Sequence, residues 1–336
     1  MTDVIDAYDA ALFDLDGVVY LGPEPVPGAP EGLAALRSRG VPICFVTNNA
    51  ARAPQVVAAQ LRGLGIACAP DEVITSGQAG AEMLAEDLPA GARVLVSGSA
   101  TLAEQVRAVG LRTVTSADDH PDAVIQGYEP TLPFTVLTEA ALAVQRGARW
   151  FATNADPTRP TDRGLEPGVG AQLAVVRVVV GGEPRVAGKP ERPLMNGAAR
   201  RAGATHPIFV GDRLDTDIAG GRAAGFATML VLTGAHGPAD LFAAPPPARP
   251  DHLGRDLRDL LTPPRRAVRT GDTVVCGDAA VERIAHSGGD AVRIVRAGEP
   301  LDLIRATARL AWDTADLGDS LDCSAVLDRV GPTPAH

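Results

Sequence analysis

Aromatic residues, cysteine and lysine are scarce in this 336-residue chain, and each shortage excludes something. Aromatics make up 4% of residues, with two Trp. The four cysteines, Cys44, Cys68, Cys276 and Cys323, are scattered, form no Cys-x-x-Cys pair and have no His at zinc spacing. That pattern offers neither a zinc site nor a disulfide framework, and it reads as buried or incidental thiols in a reducing compartment. No apolar run reaches the ~18 residues of a membrane helix. The N-terminus, Met1 to Asp9, carries acids where a secretory leader has a basic start and an apolar core, so the chain reads as cytoplasmic. Positive charge is also short: the net charge is -10 and the isoelectric point about 5.1. Nucleic acid and anionic membrane, which need basic patches, are therefore excluded as main partners. Arg far outnumbers Lys, so a lysine at a constrained position stands out. What remains is an ordinary globular composition, 46% hydrophobic and 21% charged, with room for two domains or a little more.

The stretch Ala11-Leu-Phe-Asp-Leu-Asp-Gly-Val-Val-Tyr20 organises the rest. Ala11 to Phe13 predicts a short buried strand that ends in Asp14 and Asp16. On extended backbone an i, i+2 pair points to one side, where like charges repel unless a cation or phosphate site uses them. A loop cap or a pair of solvated acids is the other reading. An EF-hand is excluded, because no Glu follows at the required spacing and Gly22-Pro23-Glu24-Pro25 breaks the exiting helix.

The same device recurs downstream. A helix from Gly28 to Gly40 precedes the strand Val41 to Val46, which ends in Thr47-Asn48-Asn49. A helix from Pro54 to Leu64 and a strand at Val73 to Thr75 follow. A second alternation then runs from about Gly80 to Ala187, with strands at Val94 to Ser97, Ala123 to Gln126 and Trp150 to Asn154, and helices near Leu102 to Val109 and Pro133 to Arg146. Its hundred or so residues suffice for a separate, inserted domain. Between Ala155 and Gly168 a Pro-, Gly- and charge-rich loop carries Asp156, Arg159, Asp162 and Arg163, just past Asn154. Either this is a plain surface loop or it faces a catalytic site and chooses the leaving group.

Lys189 then sits between Gly188 and Pro190. A helix from Arg192 to Ala202 leads to the strand Pro207 to Val210, which ends in Gly211-Asp212-Arg213-Leu214-Asp215-Thr216-Asp217. Acids here could simply favour a helix dipole. As a third polar strand end, they more readily complete a metal site. A strand at Phe226 to Leu232, a short helix at His236 to Phe242 and the segment Asp251 to Leu261 close the unit, and Thr262-Pro-Pro-Arg-Arg266 reads as a linker. The remaining tail predicts strands at Val274 to Cys276 and Val292 to Val295 and a helix from Leu301 to Asp313. It holds no catalytic cluster and no acetyltransferase Arg/Gln-x-x-Gly-x-Gly. It reads as a docking or dimerisation module or a remnant of a larger fold, so a chain ending near Pro264 is expected to keep its chemistry if it stays soluble.

In this order, Asp14 with Asp16, Thr47, Lys189, and Asp212 with Asp217 resemble the four motifs of the haloacid dehalogenase-like hydrolases, up to Leu261. The position of the insertion is that of the family's type 2 (IIA) cap. Asp-Gly-Val-Val-Tyr-Leu-Gly, Val-Thr-Asn-Asn, Ala-Thr-Asn-x-Asp, Gly-Lys-Pro and Gly-Asp-Arg-Leu-x-Thr-Asp-Ile are similar to the branch containing nitrophenyl-phosphatase-like, phosphoglycolate and glycerol phosphate phosphatases. The resemblance implies an α/β fold: a Rossmann-like parallel sheet with helices on both faces, residues 1–79 and 188–264, an inserted α/β cap, 80–187, and a small α+β extension, 265–336. The Gly-x-x-x-x-Gly-Lys of P-loop enzymes is absent.

The resemblance further implies a Mg2+-dependent phosphatase acting on a small phosphorylated metabolite. Phosphate monoesters need acceleration of up to ~10²¹-fold, mostly by positioning and charge neutralisation. Asp14 would be the nucleophile that forms an aspartyl-phosphate, and Asp16 the general acid and base. Asp14, Asp212 and the backbone carbonyl of Asp16 would hold the metal, with Asp217 orienting metal-bound water. Thr47, Asn48 and Lys189 would bind the phosphate, and the cap residues Asn154, Asp156, Arg159 and Arg163 would read the leaving group. Glycerol 3-phosphate is the expected substrate, with phosphoglycolate, pyridoxal phosphate or a nucleoside monophosphate as alternatives. A phosphomutase would carry a helical cap just after the first motif, and an inactive ligand-binding scaffold would have lost one of the motif residues. A homo-oligomer formed through the cap or the extension is compatible with the sequence.

Overall fold

The computed structural model describes residues 2–161, 163–286 and 289–331, so Asp162 lies outside the described residues. Contacts divide the chain into two compact units, Met1–Ile43 with Ala204–His336, and Cys44–Gly203.

The first unit is organised by four parallel strands, in the order His252–Gly254, Ala227–Val231, Ile208–Gly211 and Ala11–Asp14. Apart from the edge strand His252–Gly254, their sequences are near-continuous apolar runs rather than alternating ones, as strands buried on both faces require. Phe13 pairs with Val210, so Asp14 lies level with Gly211, and Asp212 is the next residue along its neighbour. Two expected strand ends thus become adjacent. The helix Ala29–Ser38 buries Leu33 and Leu36, close to the expected span.

The tail belongs to this unit's core. Val268–Thr270, Thr273–Cys276, Ala279–His286 and Gly289–Arg296 form an antiparallel sheet, to which Leu321–Asp322 adds in parallel. Val274, Val281, Leu301 and Ile304 from the tail share one apolar cluster with Leu214, Ile218, Leu230 and Leu241. The helix Pro300–Ala315 is fastened further: Trp312 Nε1 donates to the Leu241 carbonyl at 2.8 Å, and Arg305 donates to the Leu253 carbonyl at 2.6 Å. A fully buried Leu or Ile stabilises by roughly 1.5–3 kcal/mol, so this seam is far stronger than a tethered module needs. The separable tail expected from the linker is therefore integral, because its apolar helix face covers side chains that the core alone leaves uncovered.

The second unit contains the parallel pair Ile43–Thr47 and Val73–Thr75 and a five-stranded parallel sheet. That sheet runs Arg185–Val186, Arg149–Ala152, Ala123–Gln126, Arg93–Ser97, Arg112–Val114. The apolar stretch Val169–Val180 is a helix. A further helix, Ser76–Asp87, runs across the expected boundary at residue 79; Thr75 and Gln78 form its capping box, with Gln78 N–H donating to Thr75 Oγ1 at 3.2 Å. The segment expected as a loop after Asn154 contains an antiparallel hairpin, Thr158–Thr161 with Gly164–Pro167. Its backbone pairing locally satisfies the groups that a plain loop would leave to water.

Candidate active site

In the first unit three acids converge. Oxygens of Asp14, Asp212 and Asp217, all buried, lie within 4.8 Å of one another. Strand register brings Asp14 and Asp212 together, and the turn Leu214–Ile218 returns Asp217 beneath them. Asp217 Oδ2 accepts the backbone N–H of Asp212 at 3.2 Å and of Arg213 at 3.1 Å, which fixes the orientation of its carboxylate. Asp212 Oδ2 accepts the Ala235 N–H at 2.6 Å, a short charge-assisted bond. Gly17 stands at φ +83°, and a Cβ there would run into the Asp212 carboxylate; glycine lets the backbone pass this close.

Asp16 departs from its partner. The strand stops at Asp14, the chain turns, and Asp16 is exposed beside an isolated bridge to Tyr20. The two carboxylates thus have different surroundings, one buried and one in solvent, which suits two roles better than one shared face. The segment Thr233 to His236 escaped sequence reasoning: Thr233 Oγ1 donates to the Gly17 carbonyl at 2.6 Å, and His236 Nδ1 accepts the Leu214 N–H at 2.8 Å. Its signal was present, since it too follows an apolar strand.

In the second unit the device repeats with different chemistry. Thr47 closes its strand, buried, and its Oγ1 accepts the Asn49 N–H at 3.1 Å. Val186 pairs with Ala152, so Lys189 and Asn154 emerge from neighbouring strand ends. Asn48 ties them together. Its Oδ1 accepts the Lys189 N–H at 2.8 Å while its Nδ2 donates to the Lys189 carbonyl at 3.1 Å and to Asp156 Oδ2 at 3.1 Å. Asn154 Nδ2 donates to the Asn48 carbonyl at 2.7 Å, and Ser76 Oγ to the same carbonyl at 2.5 Å. A Cβ on Gly188 would stand 2.6 Å from both Asn48 Oδ1 and the Thr153 carbonyl, so only glycine admits this packing. Lys189 is the chain's only lysine and is 4% exposed.

The cap residues separate into two groups. Asn154 and Asp156 join the Asn48 network. Arg159 instead donates to Tyr128 Oη at 2.8 Å with its guanidinium 4.8 Å from that ring's centre, and Arg163 is exposed at the hairpin tip. The four cysteines are buried, and burial pushes the thiols of Cys44, Cys276 and Cys323 up to about 12, which leaves them inert.

Three buried carboxylates at this spacing require a countercharge. Oxygens around Mg2+ at about 2.1 Å lie no more than roughly 4.2 Å apart. Carboxylate oxygens gathered within 4.8 Å of one another are on that scale, so the set fits the ion. Oxygen-only donors without His or Cys suit magnesium's hard-ligand preference.

Comparison with known proteins identifies the family. The family model described as haloacid dehalogenase-like hydrolase matches residues 11–112, and a HAD-hydrolase-like model matches 186–260. The D-glycerol 3-phosphate phosphatase of Mycobacterium tuberculosis is 43% identical over 94% of this chain and 90% of its own. An acid sugar phosphatase of Staphylococcus saprophyticus is 38% identical over 68% of this chain and 87% of its own. The crystal structure of the M. tuberculosis glycerol phosphate phosphatase in complex with magnesium superposes with a TM-score of 0.87 at 39% identity, covering 98% of this chain and 99% of that one. By its motifs, its buried carboxylates and these relatives, the chain belongs to the haloacid dehalogenase-like hydrolases and is a magnesium-dependent phosphomonoester hydrolase.

Proposed function

We propose that the substrate is glycerol 3-phosphate, cleaved to glycerol and phosphate through an aspartyl-phosphate on Asp14. One observation carries the choice of substrate. The glycerol phosphate phosphatase structures cover this chain almost completely, 98% and 100%, whereas the p-nitrophenyl phosphatase of Archaeoglobus fulgidus covers 76% of it at a TM-score of 0.70. The likeness to the former thus takes in more than the parts common to a phosphatase of this family.

In the reaction we propose, an Asp14 oxygen attacks phosphorus and the ester bond breaks. Asp16, exposed and able to exchange protons with solvent, protonates the departing glycerol oxygen and then takes a proton from the water that attacks the aspartyl-phosphate. Magnesium, when bound by Asp14, Asp212 and the Asp16 carbonyl, neutralises charge on the phosphoryl group. Asp217 holds the amides of the Asp212 loop and so fixes that carboxylate. Thr47 and Lys189 bind phosphoryl oxygens. The backbone around Asn48 is a further candidate for phosphoryl oxygens, while its side chain fixes the Lys189 backbone. Asn154 and Asp156 read the polyol, and Arg159 and Arg163 are the outer candidates for that task.

We further propose a core of residues 1–79 and 188–264, a cap of 80–187 and an extension of 265–336. The proposed setting is cytoplasmic, with a small phosphorylated metabolite as partner and no nucleic acid or membrane. Among the described residues no helix is long and apolar enough to cross a membrane. Phosphate release measured across glycerol 3-phosphate, phosphoglycolate, pyridoxal phosphate and nucleoside monophosphates tests the substrate. Glycerol 3-phosphate should have the highest kcat/KM; a tenfold preference for another ester would overturn this reading.

A further inference from the structure

In the first unit a cavity of about 860 Å³ opens where the N-terminal turn, the core and the tail meet. It is lined by Arg222, Arg265, Arg266, Arg305 and Arg309, with Asp251 as the one acid among the lining residues. Arg222 pairs with Asp251 at 3.3 Å, Arg305 with Asp302 at 2.8 Å and Arg309 with Asp313 at 2.8 Å, while Arg265 also reaches Asp302. Five guanidinium groups thus line the cavity beside one lining carboxylate, and Asp302 and Asp313, which pair with three of them, stand behind the wall, in a chain whose net charge is -10. Arg266 is exposed and has no ion pair among the described residues. Such a local reversal of sign is an electrostatic signature of anion binding.

The remaining walls are not charged. Tyr8, Phe226, Pro247, Pro250 and Trp312 line the same cavity. Tyr8 is held in place by His206, with ring centres 5.3 Å apart, and by a 2.7 Å hydrogen bond between its hydroxyl and His252 Nε2. The volume exceeds what an isolated phosphate fills and lies in the range of small-molecule sites. Planar walls beside several guanidinium forks suit a ligand that joins an aromatic ring to a polyphosphate, since Arg forks bind phosphate oxygens and flat side chains stack on bases.

We propose that this groove is a second, non-catalytic site for a nucleoside diphosphate. The residues that form it come from both the core and the tail, so the ligand links the two. Occupancy stabilises the unit in which Leu214 and Ile218, the residues that bound the Asp217 turn, share an apolar core with the tail helix.

The test uses the full chain in Mg2+-free buffer with EDTA, so that the carboxylate cluster recruits no phosphate, and titrates ADP by calorimetry and thermal melting. We expect one ADP per chain, a raised Tm, and binding weakened at least tenfold by Arg266→Glu and by Arg222→Gln. Hydrolysis of the preferred phosphomonoester should keep its kcat/KM in Arg266→Glu. Absence of ADP binding at millimolar concentration, or equal binding by wild type and both variants, overturns the proposal. Adenosine or pyrophosphate binding as tightly as ADP would show recognition of only half the ligand and overturn it as well.

Discussion

The carboxylate cluster of the first unit and the Asn48 network of the second use one topological device, polar residues just beyond parallel strand ends, to opposite effect. In the first, three acids are forced together and held by backbone amides, Ala235 to Asp212 and the Asp212 and Arg213 amides to Asp217. It stores repulsion that a cation relieves. In the second, an amide side chain bonds both backbone groups of Lys189, and charge is nearly absent from the bonds that fix the geometry. One cluster is built to hold a charge, the other to place one. Strand-end sites of open α/β sheets owe their versatility to this freedom, since the strands fix positions and the residues beyond them choose the chemistry.

The sharpest way to break the comparison is at Asp14. Asp14→Asn keeps the shape but removes the nucleophile and one negative charge, so turnover should fall by ~10⁴-fold or more, as losses of covalent nucleophiles do, with an unchanged circular dichroism spectrum. Near-normal phosphate release would remove Asp14 from the chemistry. Nearly as large an effect is expected from a chain ending at Pro264. It uncovers Leu214, Ile218, Leu230 and Leu241 and should be insoluble or lack a cooperative melt; a folded, active truncation would show that the tail does not support the acid-bearing turn.

Asn48→Ala probes the second cluster by removing both ties to the Lys189 backbone and the contact to Asp156. A drop in kcat/KM of about 10 to 100-fold is expected, in keeping with the loss of residues that orient a functional group, while Mg2+ affinity measured by titration stays within twofold. An equal loss of Mg2+ affinity would mean that the two clusters are not chemically separate. Within the cap, Asp156→Ala should lower kcat/KM for the best substrate about tenfold, equivalent to roughly 1.4 kcal/mol. It should barely change hydrolysis of an activated aryl phosphate. Arg163→Ala, at the exposed hairpin tip, sharpens this control: a smaller effect than Asp156→Ala is expected on both substrates, and an equal one would give the tip the same role.

The smallest effect concerns acid stability. Burial lowers the pKa of His252 below its ordinary 6.5, against the opposing influence of Asp251. The folded chain therefore binds fewer protons there than the unfolded one. Its contribution is complete above pH 6.5 and is lost as pH falls through the depressed folded value. Tm measured between pH 7 and pH 5 should fall less steeply in His252→Gln; an unchanged slope would mean that other groups carry it.

Much of the candidate site was legible because several of its residues end an apolar run. Asp14, Thr47 and Asp212 are unfavourable places to end a buried strand unless something uses them, and Lys189 stood out in a chain that otherwise carries its positive charge on Arg. The helix Ser76–Asp87 could have been read from Thr75-x-x-Gln78, and Thr233 to His236 from the same strand-end rule. Other features had no local signal. Asn48 meets Asp156 and Lys189 across 108 and 141 residues, and amide hydrogen bonds leave no periodicity in a sequence. Two of the tail's strands and its long helix were visible, while Val268–Thr270, Ala279–His286 and Leu321–Asp322 were not expected, and an amphipathic helix states only that it has an apolar face. Which surface that face covers depends on shapes assembled elsewhere in the chain.

The sequence by itself determined the chemistry available at each strand end, because charge, hydrogen-bonding capacity and strand propensity belong to short stretches of residues. Tertiary structure alone decided which ends meet. Parallel register put Asp14 beside Asp212, paired Val186 with Ala152 to bring Lys189 toward Asn154, and folded the tail onto Leu214 and Ile218. Those are contacts between distant segments, and they form only where burying apolar surface outweighs the entropy of closing the intervening chain.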